Sequence, residues 1–281
     1  MRRASPARGL QPPAAVPATV GALAAAVWRA RPVVRTLVVR ELRGRWAGSA
    51  LGPVWAIAPP LAQLAIFTFV FATVLDVRFG TGDVPFVLYL ACGLFPWLAI
   101  QEAVLRSATS LVDNGVLVKR VVFPIEVLPV ELALAALVHQ LIAFVLLLAL
   151  MASFGLPPRA SLLALPLLLA VQLLLTVGLG WAVATLQVYF RDTAQALGVL
   201  LPLWFYLTPI IYPYELVPAA LRPALALNPL TALVQGYRDL FLHGVVPWGA
   251  REAWLVAASV GVFALGAASF IRGRGEFADL V

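Results

Sequence analysis

The sequence predicts an all-α membrane protein with six transmembrane helices, and three observations carry that expectation. Hydrophobic residues fill 62% of the 281 positions and charged residues 12%, against roughly 45–50% apolar and about 25% charged in soluble chains. Mean hydropathy is +0.96. Apolar runs as long as the ~20 residues of a bilayer-spanning helix recur from Val54 to the C-terminus with only short polar breaks. Lipid is therefore the solvent, and a count of soluble domains does not apply.

The elements follow in order. Residues 1–22 are rich in Pro, Ala and Arg without a helical period and read as a disordered tail. Residues 23–52 form an amphipathic interface region: after Pro32, favourable in a first turn, Val34, Leu37, Val38 and Leu42 recur at helical spacing while Arg40 and Arg43 point elsewhere. That helix is too charged to span. A transmembrane domain over 53–281 then carries spans at about 53–75, 85–105, 127–154, 162–189, 194–212 and 253–271. Between the last two, short apolar pieces at 216–227 and 230–242 are divided by Asn228-Pro229. Each is too short to cross, so the segment 213–252 reads as a re-entrant hairpin.

Orientation follows from the basic residues. Nine arginines precede the first span, and Arg106, Lys119, Arg120, Arg191, Arg272 and Arg274 fall on the same side if six spans alternate. Arg78, Arg159, Arg222, Arg238 and Arg251 take the other side. Both termini are thus expected in the cytoplasm, with the hairpin entering from the outer face. The nine arginines stand against one acid, Glu41, before residue 47 and exceed the whole net charge of +7. No aromatic-interleaved basic surface accompanies them, so nucleic acid is not implied; topology and attraction to anionic lipid account for them.

Several chemistries are missing. A P-loop needs Gly-Lys-Ser/Thr to cradle phosphates, but the only lysine, Lys119, sits between Val118 and Arg120. The chain is not an ATPase by that route. One cysteine, Cys92, excludes an internal disulfide and reads as a small buried apolar residue, and with only His139 and His243 there is no Cys/His cluster at metal-ligand spacing. The N-terminal arginines are followed by no short apolar stretch and small-residue cleavage site, so a cleaved signal peptide is not expected. Polar groups inside the spans are mainly Gln63, His139, Gln140 and Gln172. His139 reads as a proton relay, a substrate contact, or a histidine satisfied by a neighbouring helix. An intramembrane serine hydrolase needs a nucleophile context near a histidine, and Gly48-Ser49-Ala50 lies in the basic segment away from His139.

Four segments together resemble the membrane subunit of ABC-2 type transporters, in particular the polysaccharide and polyol-phosphate exporters that serve O-antigen, teichoic acid and galactan export. The first is Arg40-Glu-Leu-Arg-Gly-Arg-Trp-Ala-Gly-Ser-Ala-Leu-Gly52 with Trp55 after it. The second joins Gly93-Leu-Phe-Pro-Trp97, Ser107-Ala-Thr-Ser-Leu-Val-Asp-Asn114 and Leu117-Val-Lys-Arg-Val-Val-Phe-Pro124. Tyr189-Phe-Arg-Asp192 with Leu203-Trp-Phe-Tyr-Leu-Thr-Pro-Ile-Ile-Tyr-Pro213 is the third. The fourth is Leu227-Asn-Pro-Leu-Thr231 with Gly236-Tyr-Arg-Asp239, and the C-terminal Phe277-Ala-Asp279 also fits. Pro53 and the pair Pro59-Pro60 depart from the family pattern, which often has Asn-Pro at the latter position.

The resemblance implies a homodimer enclosing a channel, each copy docked on one of two ATPase subunits that bind ATP and magnesium in trans, with no cofactor in this chain. It implies an N-terminal interface helix including Arg40, Arg43 and Arg45. A coupling helix in the 107–123 loop would present Asp113, Asn114, Lys119 and Arg120, and an outer gate would include Asn228, Pro229, Tyr237, Arg238 and Asp239. The implied substrate is a polyprenyl-pyrophosphate-linked polysaccharide moved across a bacterial plasma membrane, among membrane lipids; other ABC-2 permeases move drugs or lipids, which is the alternative. Sugar rings present apolar faces to aromatic rings, so Phe95, Trp97, Trp181, Tyr189, Trp204, Phe205 and Tyr206 are candidates for a channel lining. An aromatic belt at the lipid interface is the competing role for each.

Overall fold

The computed structural model describes residues 19–44, 54–75, 84–119 and 123–281, and every regular element within them is helical. Arg45, Arg120 and positions 1–18 of the expected tail lie outside the described residues.

The first helix, α1 (Val20–Arg29), starts inside the stretch expected to be tail. Thr19, extended, turns its hydroxyl back to accept from the Ala22 amide at 3.2 Å, a side-chain N-cap. After a single break at Ala30, α2 (Arg31–Gly44) buries Val34 and Leu37, half-buries Val38 and leaves Arg40 and Arg43 exposed, which is the expected amphipathic pattern. Its apolar stripe lies on α6 (Val127–Ser153).

Among the described residues, α4 (Phe86–Asp113), α6, α7 (Leu165–Tyr189, led in by a 3-10 turn Ala160–Ala164) and α11 (Ala250–Gly273) run from one end of the bundle to the other, while α3 (Val54–Thr68, continued by a π-helical turn Phe69–Val74) and α8 (Thr193–Tyr206) bury apolar residues at one end only. Their directions follow from two buried clusters. The first gathers Leu88, Leu147, Leu168, Phe205 and Leu255; the second gathers Leu111, Val127, Val188 and Phe270. The N-terminal half of α4 is in the first and its C-terminal half in the second, whereas α6 reverses that order, so successive helices alternate. Helices α1, α2 and the C-terminal α12 (Phe277–Leu280) all pack at the second end, where Leu23, Val34 and Phe277 join the cluster.

Among the described residues, five helical segments are long and apolar enough to cross a membrane: Ile57–Val74, Phe86–Asp113, Val127–Ser153, Ala160–Tyr189 and Ala250–Gly273. The sixth, α8, has 14 residues, about 21 Å at 1.5 Å per residue, against ~30 Å of hydrocarbon. Residues 207–212 of the expected span are turns. Pro209 disfavours helical backbone at Thr208 before it, and Pro213 has no amide to donate.

By contrast, α4 overshoots its expected end at 105. Its 28 residues extend about 42 Å, roughly 12 Å more than the hydrocarbon core. No Gly or Pro interrupts 106–113, and Ser110 satisfies its own hydroxyl on the Ser107 carbonyl at 2.8 Å. The helix stops at Asn114, whose side-chain amide donates to the Ser110 carbonyl at 2.9 Å, in place of the next-turn amide.

Small residues set the closest helix pair. A Cβ on Gly178 of α7 would lie 2.6 Å from Phe263 Cα of α11, and one on Gly266 would lie 2.0 Å from the Gly178 carbonyl oxygen. In lipid, where burial of apolar surface gives no drive between helices, this close backbone approach supplies dispersion instead. The segment between α8 and α11 holds α9 (Arg222–Leu227) and α10 (Pro229–Arg238), the latter ending in a π-helical turn Asp239–His243 that closes at Gly244 with φ 72°. Their break falls at Asn228, as the Asn-Pro pair predicts. Helix α10 packs against α4, α7 and α11.

Candidate functional site

The loop expected to dock an ATPase is a short helix, α5 (Gly115–Val118), at the end of the bundle that carries α1, α2 and α12. Val118 is buried in the cluster at that end, and the Val281 side chain rests against Gly115, where a Cβ would meet it at 3.0 Å. With that side fixed, Asp113, Val116 and Lys119 are exposed, Val116 at 74%. A small apolar knob between an acid and a base suits a protein partner better than lipid. Asn114 is instead structural, ending α4 and opening α5.

Behind this surface, α2 is tied to α4. Arg106 Nη1 lies 2.6 Å from Glu41 of α2 and 3.8 Å from Glu102, and Glu102 lies 3.5 Å from His139 Nδ1 of α6. His139 thus sits beside a carboxylate. The C-terminus is tied as well: Arg274 lies 3.1 Å from Glu126, and Tyr189 donates to Glu276 at 2.8 Å.

At the opposite end, α10 is held by three of the residues expected in a gate, Asn228, Tyr237 and Arg238. Asn228 caps α10 by accepting from the Leu230 amide, accepts from the Trp204 indole at 3.1 Å and donates to Thr208 at 2.9 Å. Arg238 is fully buried and donates to the carbonyls of Pro209 at 2.8 Å and Ile210 at 2.7 Å, with a longer bond to Tyr89 O at 3.4 Å. Those carbonyls belong to the turn that follows α8, so the guanidinium satisfies backbone that the short helix leaves unpaired. Tyr237 is also buried. Its hydroxyl donates to Gln172 at 2.5 Å and accepts from Gln140 at 3.2 Å, while the two glutamine amides pair reciprocally at 3.0 and 2.5 Å. Tyr237 and Arg238 are therefore interior fasteners, because α10 is wedged into the bundle instead of lying across its mouth.

Asp239 stands at the edge of the same wedge, bonded to His243 at 3.0 Å and to Arg251 of α11, which also holds Glu252 at 2.6 Å. Partial burial alone raises a carboxyl pKa, but the bonds from His243 and Arg251 outweigh it and hold Asp239 below its ordinary range.

Four of the seven aromatic candidates come together. Trp97 of α4 meets Trp204 edge-on at 6.1 Å and Phe205 at 5.6 Å, and Phe205 meets Tyr206 at 5.2 Å. The row continues through residues that sequence reasoning did not single out: Phe67 stacks on Phe205 at 5.7 Å, then contacts Phe71, which contacts Phe86. Phe95 lies near this row between α3 and α6. Trp181 and Tyr189 do not join it. Trp181 is a core residue between Phe263 and Phe270, its indole donating to the Glu126 carbonyl at 3.0 Å, and Tyr189 is at the α12 end.

Sequence reasoning also missed the Glu41–Arg106 pair, because nothing in the spacing of two residues 65 positions apart marks them as partners. Gln140 and Gln172 were visible as polar residues inside apolar spans; that they bond each other was not.

These features define a helical bundle, over the described residues, with several helices long and apolar enough to cross a membrane. The model of the ABC-2 type transporter family matches residues 32–242, and the chain belongs to that family. It is 31% identical over 259 residues to the O-antigen export system permease protein RfbA of Myxococcus xanthus, covering 91% of this chain and 97% of that protein. A Klebsiella pneumoniae protein with the same description is 30% identical over 74% of this chain and 79% of its own length. The polysialic acid transport protein KpsM of Escherichia coli is 25% identical over 79% and 86% respectively. The chain is thus a multi-pass membrane protein of a transport family.

Proposed function

We propose that this chain is the permease subunit of an ATP-driven exporter that moves lipid-linked polysaccharide across a bacterial plasma membrane. The observation that carries this is similarity along nearly the whole length of the chain to a protein described as an O-antigen export permease. The aromatic row on α3, α4 and α8 supports it, since stacked rings suit the apolar faces of sugars.

In this reading two copies meet across α3 and α8, whose outer faces expose Ile66, Phe69, Val199 and Leu203, and enclose the channel. Six spans are completed by α8 with the turn after it, and the α9–α10 segment enters as a hairpin from the outer side. The end bearing α1, α2, α5 and α12 faces the cytoplasm: ten of the fourteen described basic residues lie there. An ATPase subunit, two copies per exporter, binds ATP and Mg²⁺ and docks on α5; its closure is passed to α4, and through Arg106 to α2. The substrate is polyprenyl-pyrophosphate-linked, and Arg40 and Arg43 on exposed α2 are placed to meet anionic groups at the inner membrane surface.

Depletion of this chain in its own host tests the proposal. Lipid-linked polysaccharide should accumulate inside the cells and vanish from the surface, and the chain should copurify with the ATPase encoded beside it. Normal surface polysaccharide after depletion would refute the assignment.

A further inference from the structure

Between α3, α4 and α6 lies a cavity of about 400 Å³ bordered by Trp55, Gln63, Phe95, Glu102, His139 and Gln140, within the ~300–1,000 Å³ typical of ligand sites. It lies at membrane depth, where polar side chains are costly and therefore rare without a function. Glu102 lies 3.8 Å from Arg106, which it shares with Glu41, and 3.5 Å from His139 Nδ1, so its carboxylate is held in place at the cavity wall. Gln140 is oriented by its pairing with Gln172.

Pro59 and Pro60 of α3 border the cavity and lie inside the helix. The cavity thus combines amides that donate and accept, a carboxylate that accepts, an imidazole, and two aromatic side chains. Hydroxyls need both donors and acceptors, and a ring with C–H faces needs the aromatics.

We propose that this cavity binds a pyranose ring of the translocating glycan, with Gln63 and Glu102 bonding its hydroxyls and Trp55 packing on its face. The proposal rests on the polysaccharide-export reading above. It assigns α3, α4 and α6 a recognition role separate from the aromatic row.

Photocrosslinking in cells tests it. With p-benzoylphenylalanine in place of Gln63, irradiation should give a polysaccharide adduct on this chain, absent in cells that lack the first glycosyltransferase and absent when the probe replaces Leu265 on the exposed face of α11. A second measurement uses the reconstituted exporter with its ATPase and purified lipid-linked polysaccharide. In Gln63→Ala and Glu102→Gln, the concentration that half-stimulates ATP turnover should rise about tenfold, the lower effect of losing a hydrogen bond to a charged group. No adduct at position 63, an adduct that persists without the glycan, or an unchanged half-stimulating concentration in both variants would overturn the site. If depletion still accumulates glycan in the cytoplasm while these fail, only the cavity assignment falls and the export function stands.

Discussion

Arg238 lies face-on over the ring of Tyr89, its Cζ 3.5 Å from the ring centroid, while its guanidinium N–H groups reach the carbonyls of Pro209 and Ile210. One side chain therefore joins α10, the start of α4 and the turn after α8. Gly93, one turn along α4, leaves the room: a Cβ there would meet Val234 at 3.0 Å and Arg238 Nη2 at 3.5 Å.

Replacing this arginine should weaken the whole end of the bundle that carries α10. Arg238→Met leaves two buried carbonyls unpaired, at about 1–3 kcal/mol each, and removes a cation–π contact of about 2 kcal/mol when desolvated. Arg238→Lys should recover only part, because an ammonium cannot span both carbonyls and stack. Tyr89→Phe keeps the ring under Arg238 and loses the hydroxyl's bond to the Tyr212 carbonyl at 3.3 Å, so it should cost less than Tyr89→Leu. Thermal unfolding of the purified complex in detergent orders the four; equal melting of Arg238→Met and the parent would contradict the account.

The buried triad of Gln140, Gln172 and Tyr237 makes a different kind of forecast. Gln172→Leu removes the donor to the Gln140 carbonyl and the acceptor of the Tyr237 O–H, leaving only the bond from Gln140 to Tyr237, and should cost on the order of 1–3 kcal/mol. Removing all three polar groups together, as Gln140→Leu, Gln172→Leu and Tyr237→Phe, should cost less than Gln172→Leu alone. A triple variant less stable than the single one would mean that the network does more than satisfy itself.

Helices α7 and α11 should tolerate no side chain where they touch. Gly266→Ala forces a Cβ against the Gly178 carbonyl oxygen and Gly178→Leu forces one into the Phe263 backbone, so both should lose most folded protein, whereas Gly261→Ala, with open space around it, should express normally. Yield of monodisperse protein by size exclusion reads the difference.

The docking role proposed for α5 predicts a loss of coupling without loss of folding. Reversing charge at Asp113 and Lys119, or replacing exposed Val116 with Glu, should abolish export and the stimulation of the partner ATPase while membrane insertion and melting temperature stay at parental values. Export retained in the double reversal would place the ATPase elsewhere.

Much of this was legible in the chain itself. The long apolar runs defined the helices, Asn228-Pro229 marked the break between α9 and α10, and the spacing of Val34 and Leu37 marked the buried stripe of α2. Each is a local property: length, a missing amide, a periodicity. Three boundaries were misjudged for reasons that are also local but weaker. Thr19 as an N-cap is invisible without knowing that Leu23 after it is buried, α4 runs on past 105 because nothing in 106–113 stops it, and α8 ends at Tyr206 ahead of Pro209.

Pairing belongs to the tertiary structure. The sequence alone determined an all-helical, membrane-embedded protein with its basic residues gathered toward one end, because the solvent a segment requires and the period of its apolar residues are read one segment at a time. Only the folded bundle decided that Arg238 satisfies the carbonyls of the α8 turn, that Trp181 is core while Trp204 joins the aromatic row, and that Gln63, Glu102 and His139 border one cavity. Those relationships depend on which helix faces meet, and in lipid that choice is made by close packing and hydrogen bonding between distant positions, which leave no spacing in the chain to read.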